Sequence, residues 1–352
     1  MKPKDILNRL KAGGWPLKAN AKEEALIATS AKCSKLYAQN FLNARFHLGE
    51  PAILKSAIES YLYAKDVING RFIEAEDIIS QDVHYAFEYA TKVLCGRFPK
   101  AEKIIAQHAE YAADYAATVI CGKFEEAEDI IAQNGKASCI YACHALEGRF
   151  EKGEDAISKD AAHSYEYASI ALGCKPFEKG EDAISKCGFS SKLYAQNVLE
   201  GRFEKGEDAI SKDANNSYEY AAFALNGRFE KGEDAIVINH RAAIRYLCDV
   251  VKDRWDRLES MLLVLEGNDD NNSFIVDYAT SVTRLGKKIP EEIHNRLICL
   301  GMTCEDDWEI KQYFESVKDL EDNRKLELVK HLTFEELEGI IKKFNKIGVE
   351  SL

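Results

Sequence analysis

The chain carries eight histidines, ten cysteines and 59 acidic residues, ample material for acid–base chemistry or metal binding if spacing brings any of it together. The histidines (His47, His84, His108, His144, His163, His240, His294, His331) fall in none of the settings that make imidazole catalytic. There is no HExxH helix, no GxSxG elbow and no phosphate-binding glycine loop beside them. Cys139 and Cys143, four residues apart with His144 adjacent, form the one metal-like cluster. A zinc site normally draws its ligands as two pairs; no second pair follows at that spacing, and CxxC does not occur. The thiols therefore read as reduced core residues, a role that suits a small apolar side chain. Paired carboxylates do occur, as Glu154-Asp155, Glu207-Asp208 and Glu233-Asp234. Their regular recurrence marks a solvated helix face, whereas an active site would be expected once. The sequence predicts no enzyme, no cofactor and no metal.

A basic feature recurs as well. Arg45, Arg71, Arg97, Arg149, Arg202, Arg228 and Arg254, with Lys123 standing in once, keep one place in successive segments. Stacked by helix packing about 8–10 Å apart, such guanidinium groups could track a phosphate backbone or an acidic partner. Each of Arg71, Arg97, Arg149, Arg202 and Arg228, however, has a glutamate five residues on: Glu76, Glu102, Glu154, Glu207 and Glu233. An internal ion pair is available to every one, and the structural reading of this ladder is favoured over the phosphate reading.

What positions these residues is a tandem repeat. Tyr37, Tyr63, Tyr89, Tyr115, Tyr141 and Tyr167 are spaced by 26 residues, and Tyr194, Tyr220 and Tyr246 resume the spacing after a one-residue insertion at Gly173-Cys174-Lys175-Pro176-Phe177. In the first half of a repeat, Tyr194, Ala195, Val198 and Leu199 share one helical face, which predicts helix A. Gly201 follows, with Gly70, Gly96, Gly122, Gly148 and Gly227 in the same place, and is expected to close helix A in the left-handed conformation. In the second half, Phe124, Ala127, Ile130 and Ile131 share a face behind the carboxylates Glu125, Glu126 and Glu128, which predicts helix B. Gly153, Gly180, Gly206 and Gly232 replace the alanines of earlier repeats (Ala75, Ala101, Ala127) and point to a close helix approach. Linkers such as 211–216 supply Ser and Asn to cap the next helix A. Helices of roughly ten residues do not persist alone, so stacking must stabilise them.

The fold class that follows is all-α, an α-solenoid of tandem 26-residue helix-turn-helix repeats with a helical carboxy-terminal cap. Residues 1–30 read as a degenerate amino-terminal capping repeat, with Gly13-Gly14-Trp15-Pro16 in its turn, and 31–264 as the tandem α-hairpins. Residues 265–352 read as a helical cap or small helical domain, with periodic segments at 290–300, 306–320, 323–332 and 334–344 that have lost the 26-residue phase.

The hairpin plan resembles tetratricopeptide and HEAT-type solenoids in architecture, with a shorter period. The repeat itself is similar to a largely uncharacterised family of short-repeat proteins, common in tailed bacteriophages, giant viruses and some bacteria, whose units read Y-A-x-x-V-[LI]-x-G-R-[FW]-x-x-[AG]-E. Those residues stand here as Tyr63-Ala64, Val67-Ile68, Gly70-Arg71-Phe72 and Ala75-Glu76, and recur from about residue 31 to 262. The resemblance implies a repeat type and a phage or viral origin, and no chemistry.

Function must then lie on a surface. A net charge of −12 and a pI near 5.3 disfavour general attraction to nucleic acid or anionic membrane. No apolar run reaches membrane-spanning length and the first 22 residues are too polar for a signal peptide, so a cytoplasmic protein is expected. The repeats differ most just after Tyr-Ala, where they read Gln39-Asn40, Lys65-Asp66, Thr91-Lys92, Ala117-Thr118, Cys143-His144, Ser169-Ile170, Gln196-Asn197 and Ala222-Phe223. A scaffold that reads a linear target diversifies such positions, although drift on a solvated face would look the same. The candidate partner-binding residues are Gln39, Asn40, Lys65, Lys92, His144, Gln196, Asn197 and Phe223. The expected partner is a protein, such as a host or defence factor that a viral protein sequesters. RNA held through the arginine ladder is the alternative, disfavoured by charge, and an enzyme housed in the carboxy-terminal helices is the third reading.

Overall fold

The computed structural model describes residues 2–13, 18–266 and 269–303. All regular structure among the described residues is helical. The chain divides into two compact units, 1–184 and 185–352, and within each the hairpins pack against their neighbours in sequence. The all-α hairpin-repeat architecture is thus present in both units.

The repeat around Tyr63 illustrates the rest. Ser56 starts helix A by accepting the Glu59 amide at 3.4 Å, and Asp82, Asn134, Asp160, Asp213 and Asn239 do the same in other repeats. Such a cap stabilises a helix by about 1 kcal/mol. Helix A runs as an α-helix over Ala57–Tyr63 and then widens to a π-turn over Ala64–Ile68. That widening moves its end. The left-handed residue is Asn69 (φ 52°), and its counterparts are Cys95, Cys121, Glu147, Glu200 and Asn226, each one position before the glycine expected in that role. In the wide turn the amides of Asn69 and Gly70 both reach the Ala64 carbonyl, so closure falls one residue early.

Helix B is shorter than its periodicity suggests: a 3₁₀ turn, Ile73–Ala75, leads into one α-turn, Glu76–Ile79. The tighter 3₁₀ twist also shifts the apolar face. Phe124 precedes the helix, and Ile130, expected in the core, is exposed while Ile131 is fully buried. The core of each repeat is the Tyr ring against the following Phe ring, 5.5 Å between centroids for Tyr63 and Phe72, over buried Ala64, Ala75 and Ile79. Buried aromatics of this size dominate the apolar area removed from water.

The helix-B glycines answer to their own hairpin. A β-carbon on Gly153 would lie 2.6 Å from Phe150 and from Ser138 of helix A, and Gly206 meets Phe203 and Ser191 in the same way. Those serines are occupied, since the Ser138 hydroxyl bonds the Ile131 carbonyl at 2.8 Å and holds helix A against the preceding helix B. Where helix A carries Ala86 or Ala112 in place of serine, helix B carries Ala101 or Ala127. Ala75 opposite Ser60 breaks the pairing, and nothing in the structure explains it.

At the amino terminus, helices Pro3–Ala12 and Ala21–Ile27 form a first hairpin; the turn residues 14–17 lie outside the described residues. In the second unit, Trp255 takes the Phe place ahead of helix Asp256–Val264, followed by helices Asp269–Arg284 and Glu291–Thr303. The helices expected over 306–320, 323–332 and 334–344 lie outside the described residues.

Candidate functional site

Within each unit successive repeats are joined by a polar knot, with Lys123 in the arginine's place once. The Arg71 guanidinium donates through Nε and Nη2 to the two oxygens of Glu76, at 2.5 and 3.2 Å. The hydroxyl of the next repeat's Tyr89 accepts the Phe72 amide at 2.7 Å. Arg97 and Glu102 repeat the pair at 2.7 Å on both arms, and Tyr115 completes the knot by accepting the Phe98 amide at 2.7 Å and donating to Glu102 at 3.1 Å. The same knot joins Arg149, Glu154, Tyr167 and Phe150 in the first unit and Arg228, Glu233, Tyr246 and Phe229 in the second. Arg202 bonds Glu207 at 2.7 Å, and Tyr220 donates to Glu207 at 3.2 Å. At the amino terminus Tyr37 uses Glu24, and in the second unit Tyr278 reaches Glu259, which Arg254 also holds.

This corrects the reading of the paired carboxylates. Asp155 is exposed, but Glu154, Glu207 and Glu233 are buried, so only half of each pair faces water. The exposed half serves the next repeat: Asp77 bonds Lys100 at 2.7 Å, Asp129 bonds Lys152 at 3.2 Å, and Asp234 lies 3.2 Å from Arg257. Glu102 stays below the usual carboxylate range because of the Arg97 bond, against the opposing pull of burial and with help from Tyr115. Burial pushes the Tyr115 and Tyr220 hydroxyls up to about 12. Around Glu102 the knot favours a charged carboxylate beside a neutral phenol, an arrangement suited to holding backbone.

Helix A presents a second, repeat-specific set of bonds that the sequence reading missed. In five repeats the residue two before the repeat tyrosine reaches sideways to the next helix A. Lys35 lies 3.2 Å from Asp66, Tyr61 donates to Glu88 at 2.9 Å, Lys192 pairs with Glu219, and Tyr218 bonds Asp249 at 2.5 Å. Cys139 Sγ lies 3.9 Å from Cys143 Sγ and 3.6 Å from a Glu166 oxygen, and the contact with Cys143, together with burial, pushes the Cys139 thiol up. The available signal was complementarity: each donor has a carboxylate 27 or 31 residues on.

The candidate residues divide accordingly. Gln39 accepts from Lys35 at 3.0 Å; Lys65 sits 5.5 Å above the Tyr61 ring; Lys92 pairs with Glu88; Gln196 donates to the Glu219 carbonyl at 3.2 Å. All four contact the protein's own side chains or backbone, Lys92 while remaining exposed. Asn40, His144, Asn197 and Phe223 are exposed, with Phe223 63% accessible and edge-on to Tyr218. Ile170 holds the same place and is also exposed. Among the described residues no group of three His, Cys, Asp or Glu side chains is placed to hold a metal, and no helix is long and apolar enough to cross a membrane. No protein-family model matches the chain, and no curated protein or solved structure matches it.

Proposed function

We propose that the chain is a non-catalytic scaffold that binds a protein partner through the exposed side chains of helix A. The observation that carries this is the contrast within each repeat. The Arg–Glu–Tyr knot recurs nearly unchanged, whereas the position three beyond the tyrosine is exposed as Asn40, Lys92, Thr118, His144, Ile170, Asn197 and Phe223, and is an aspartate bonded by the preceding helix A at Asp66 and Asp249. A constant frame under changing, solvent-facing chemistry is how repeat proteins recognise an extended surface. The RNA reading is weaker, because Nε and Nη2 of Arg71, Arg97, Arg149 and Arg228 are already engaged by buried or half-buried carboxylates that partly neutralise the charge. On the repeat resemblance, we place this role in the cytoplasm of a cell infected by a phage or virus, with a host or defence factor as partner.

The test is affinity purification of the full chain from such cells, with and without ribonuclease, beside a variant carrying His144→Ala, Ile170→Ala and Phe223→Ala. One protein should survive ribonuclease and 200 mM salt and be lost with the variant while the circular-dichroism spectrum stays unchanged. Recovery of RNA that disappears with Arg149→Gln, Arg202→Gln and Arg228→Gln would replace the proposal by its alternative.

A further inference from the structure

The amino-terminal hairpin and the first helix A enclose a concavity of about 630 Å³. Its floor is apolar: Leu7 and Leu10 from helix Pro3–Ala12, with Leu36 and Phe41 from helix A and the turn after it. Its rim carries Lys4, Lys11 and Lys32. All three are exposed, and none makes an ion pair among the described residues. Elsewhere Lys100, Lys136, Lys152 and Lys179 each hold a carboxylate, and the net charge of the chain is −12. Helix stability accounts for Lys11, in the last turn of its helix, but not for Lys4 or Lys32. Lys4 and Lys32 stand in the first turns of their helices, where the helix dipole opposes a cation. Three unpaired ammonium groups around an apolar floor are complementary to a molecule with a hydrocarbon body and an anionic end.

We propose that this concavity is a binding site for a small amphipathic anion, a single medium-length aliphatic chain ending in a carboxylate or phosphate. The volume lies within the range of ordinary ligand pockets and suits one such molecule rather than a bilayer surface. The tail lies on Leu7, Leu10, Leu36 and Phe41, where each buried methylene strengthens binding roughly four-fold. The headgroup meets the three lysines, with the Asn40 side chain at the rim beside them. The site shares only Asn40 with the protein-binding surface, and its test needs no partner.

Calorimetric titration of the full chain with decanoate, decyl phosphate and decanol, all well below micelle formation, decides the matter. Both anions should bind, about ten-fold or more tightly than decanol. The combined variant Lys4→Gln, Lys11→Gln and Lys32→Gln should lose at least ten-fold in affinity for the anions and keep its affinity for decanol. A control that removes the same charge elsewhere in the first unit, Lys55→Gln with Lys103→Gln and Lys159→Gln, should bind as the wild type does. Absence of binding, equal binding of decanol and decanoate, or an equal loss in the control would each overturn the proposal.

Discussion

Glu102 lies between Arg97 and Tyr115, and the two neighbours act on it differently. Arg97 supplies the paired donors that hold the carboxylate charged, while Tyr115 spends its hydroxyl hydrogen on Glu102 and its lone pair on the Phe98 amide. Because the folded-state value of Glu102 lies below the ordinary 4.5, its contribution to stability is fully present above that value and is lost as pH falls through the folded one. Tyr115, raised to about 12 from 10, contributes below pH 10 and loses that contribution as pH climbs toward 12. Glu102→Gln should therefore lower the melting temperature at pH 7, with the gap to wild type narrowing below about pH 4.5. Thermal melts between pH 3 and 7 test this; a gap of constant size would mean the Arg97–Glu102 pair contributes nothing. The five-residue spacing of Arg and Glu was legible in the sequence because one turn joins them. The tyrosine's part was not, since its partners lie 13 and 17 residues back in the preceding repeat.

Helix A ends where its widened last turn places the left-handed residue, and that residue is Asn, Cys or Glu in most repeats, Lys252 after Tyr246 and glycine only at Gly173. Asn43, Asn69 and Asn226 suit the conformation, since a short amide side chain tolerates it better than most. Glu147 and Glu200 hold it at a cost of about 1 kcal/mol each. Glu147→Gly should then be neutral or stabilising by up to about 1 kcal/mol, and Glu147→Val destabilising by about 1–2 kcal/mol. Gly148→Ala should change stability by less than about 0.5 kcal/mol, because a β-carbon there meets nothing closer than the Leu146 carbonyl at 3.6 Å. Urea denaturation of the three variants separates this from closure at Gly148 itself, under which the order of effects would reverse. The sequence reading chose the glycine because it is the usual left-handed residue. Only the i→i+5 hydrogen bonding moved the end by one position.

Within the first unit each hairpin is held by its two neighbours through one recurring knot, so whole repeats should be interchangeable. Removing residues 99–124 joins Phe98 to Glu125 and keeps Arg97 five residues ahead of a glutamate, now Glu128, with Tyr141 placed to close on it. That shortened chain should fold cooperatively with a somewhat lower melting temperature. Removing only 99–111 breaks the phase and should leave no cooperative transition. If both deletions unfolded alike in calorimetric scans, stability would depend on repeat-specific contacts such as Tyr61–Glu88 more than on the common knot.

The sequence by itself determined the 26-residue period, the tyrosine as its fixed point, that polar Ser and Asn linkers cap helix A, and the distance from each arginine to its glutamate. All of these are set by bonds that span a few residues, or by a period long enough to repeat many times. The tertiary structure alone decided what the tyrosine hydroxyl holds, that Glu154 is buried while Asp155 is exposed, and that Ile130 leaves the core. It also decided that Lys35 faces Asp66 and that Lys4, Lys11 and Lys32 ring one concavity. Those relations depend on how far one hairpin is translated and rotated against the next. That offset comes from packing Tyr and Phe rings, small alanines and glycines together, and no local spacing along the chain encodes it.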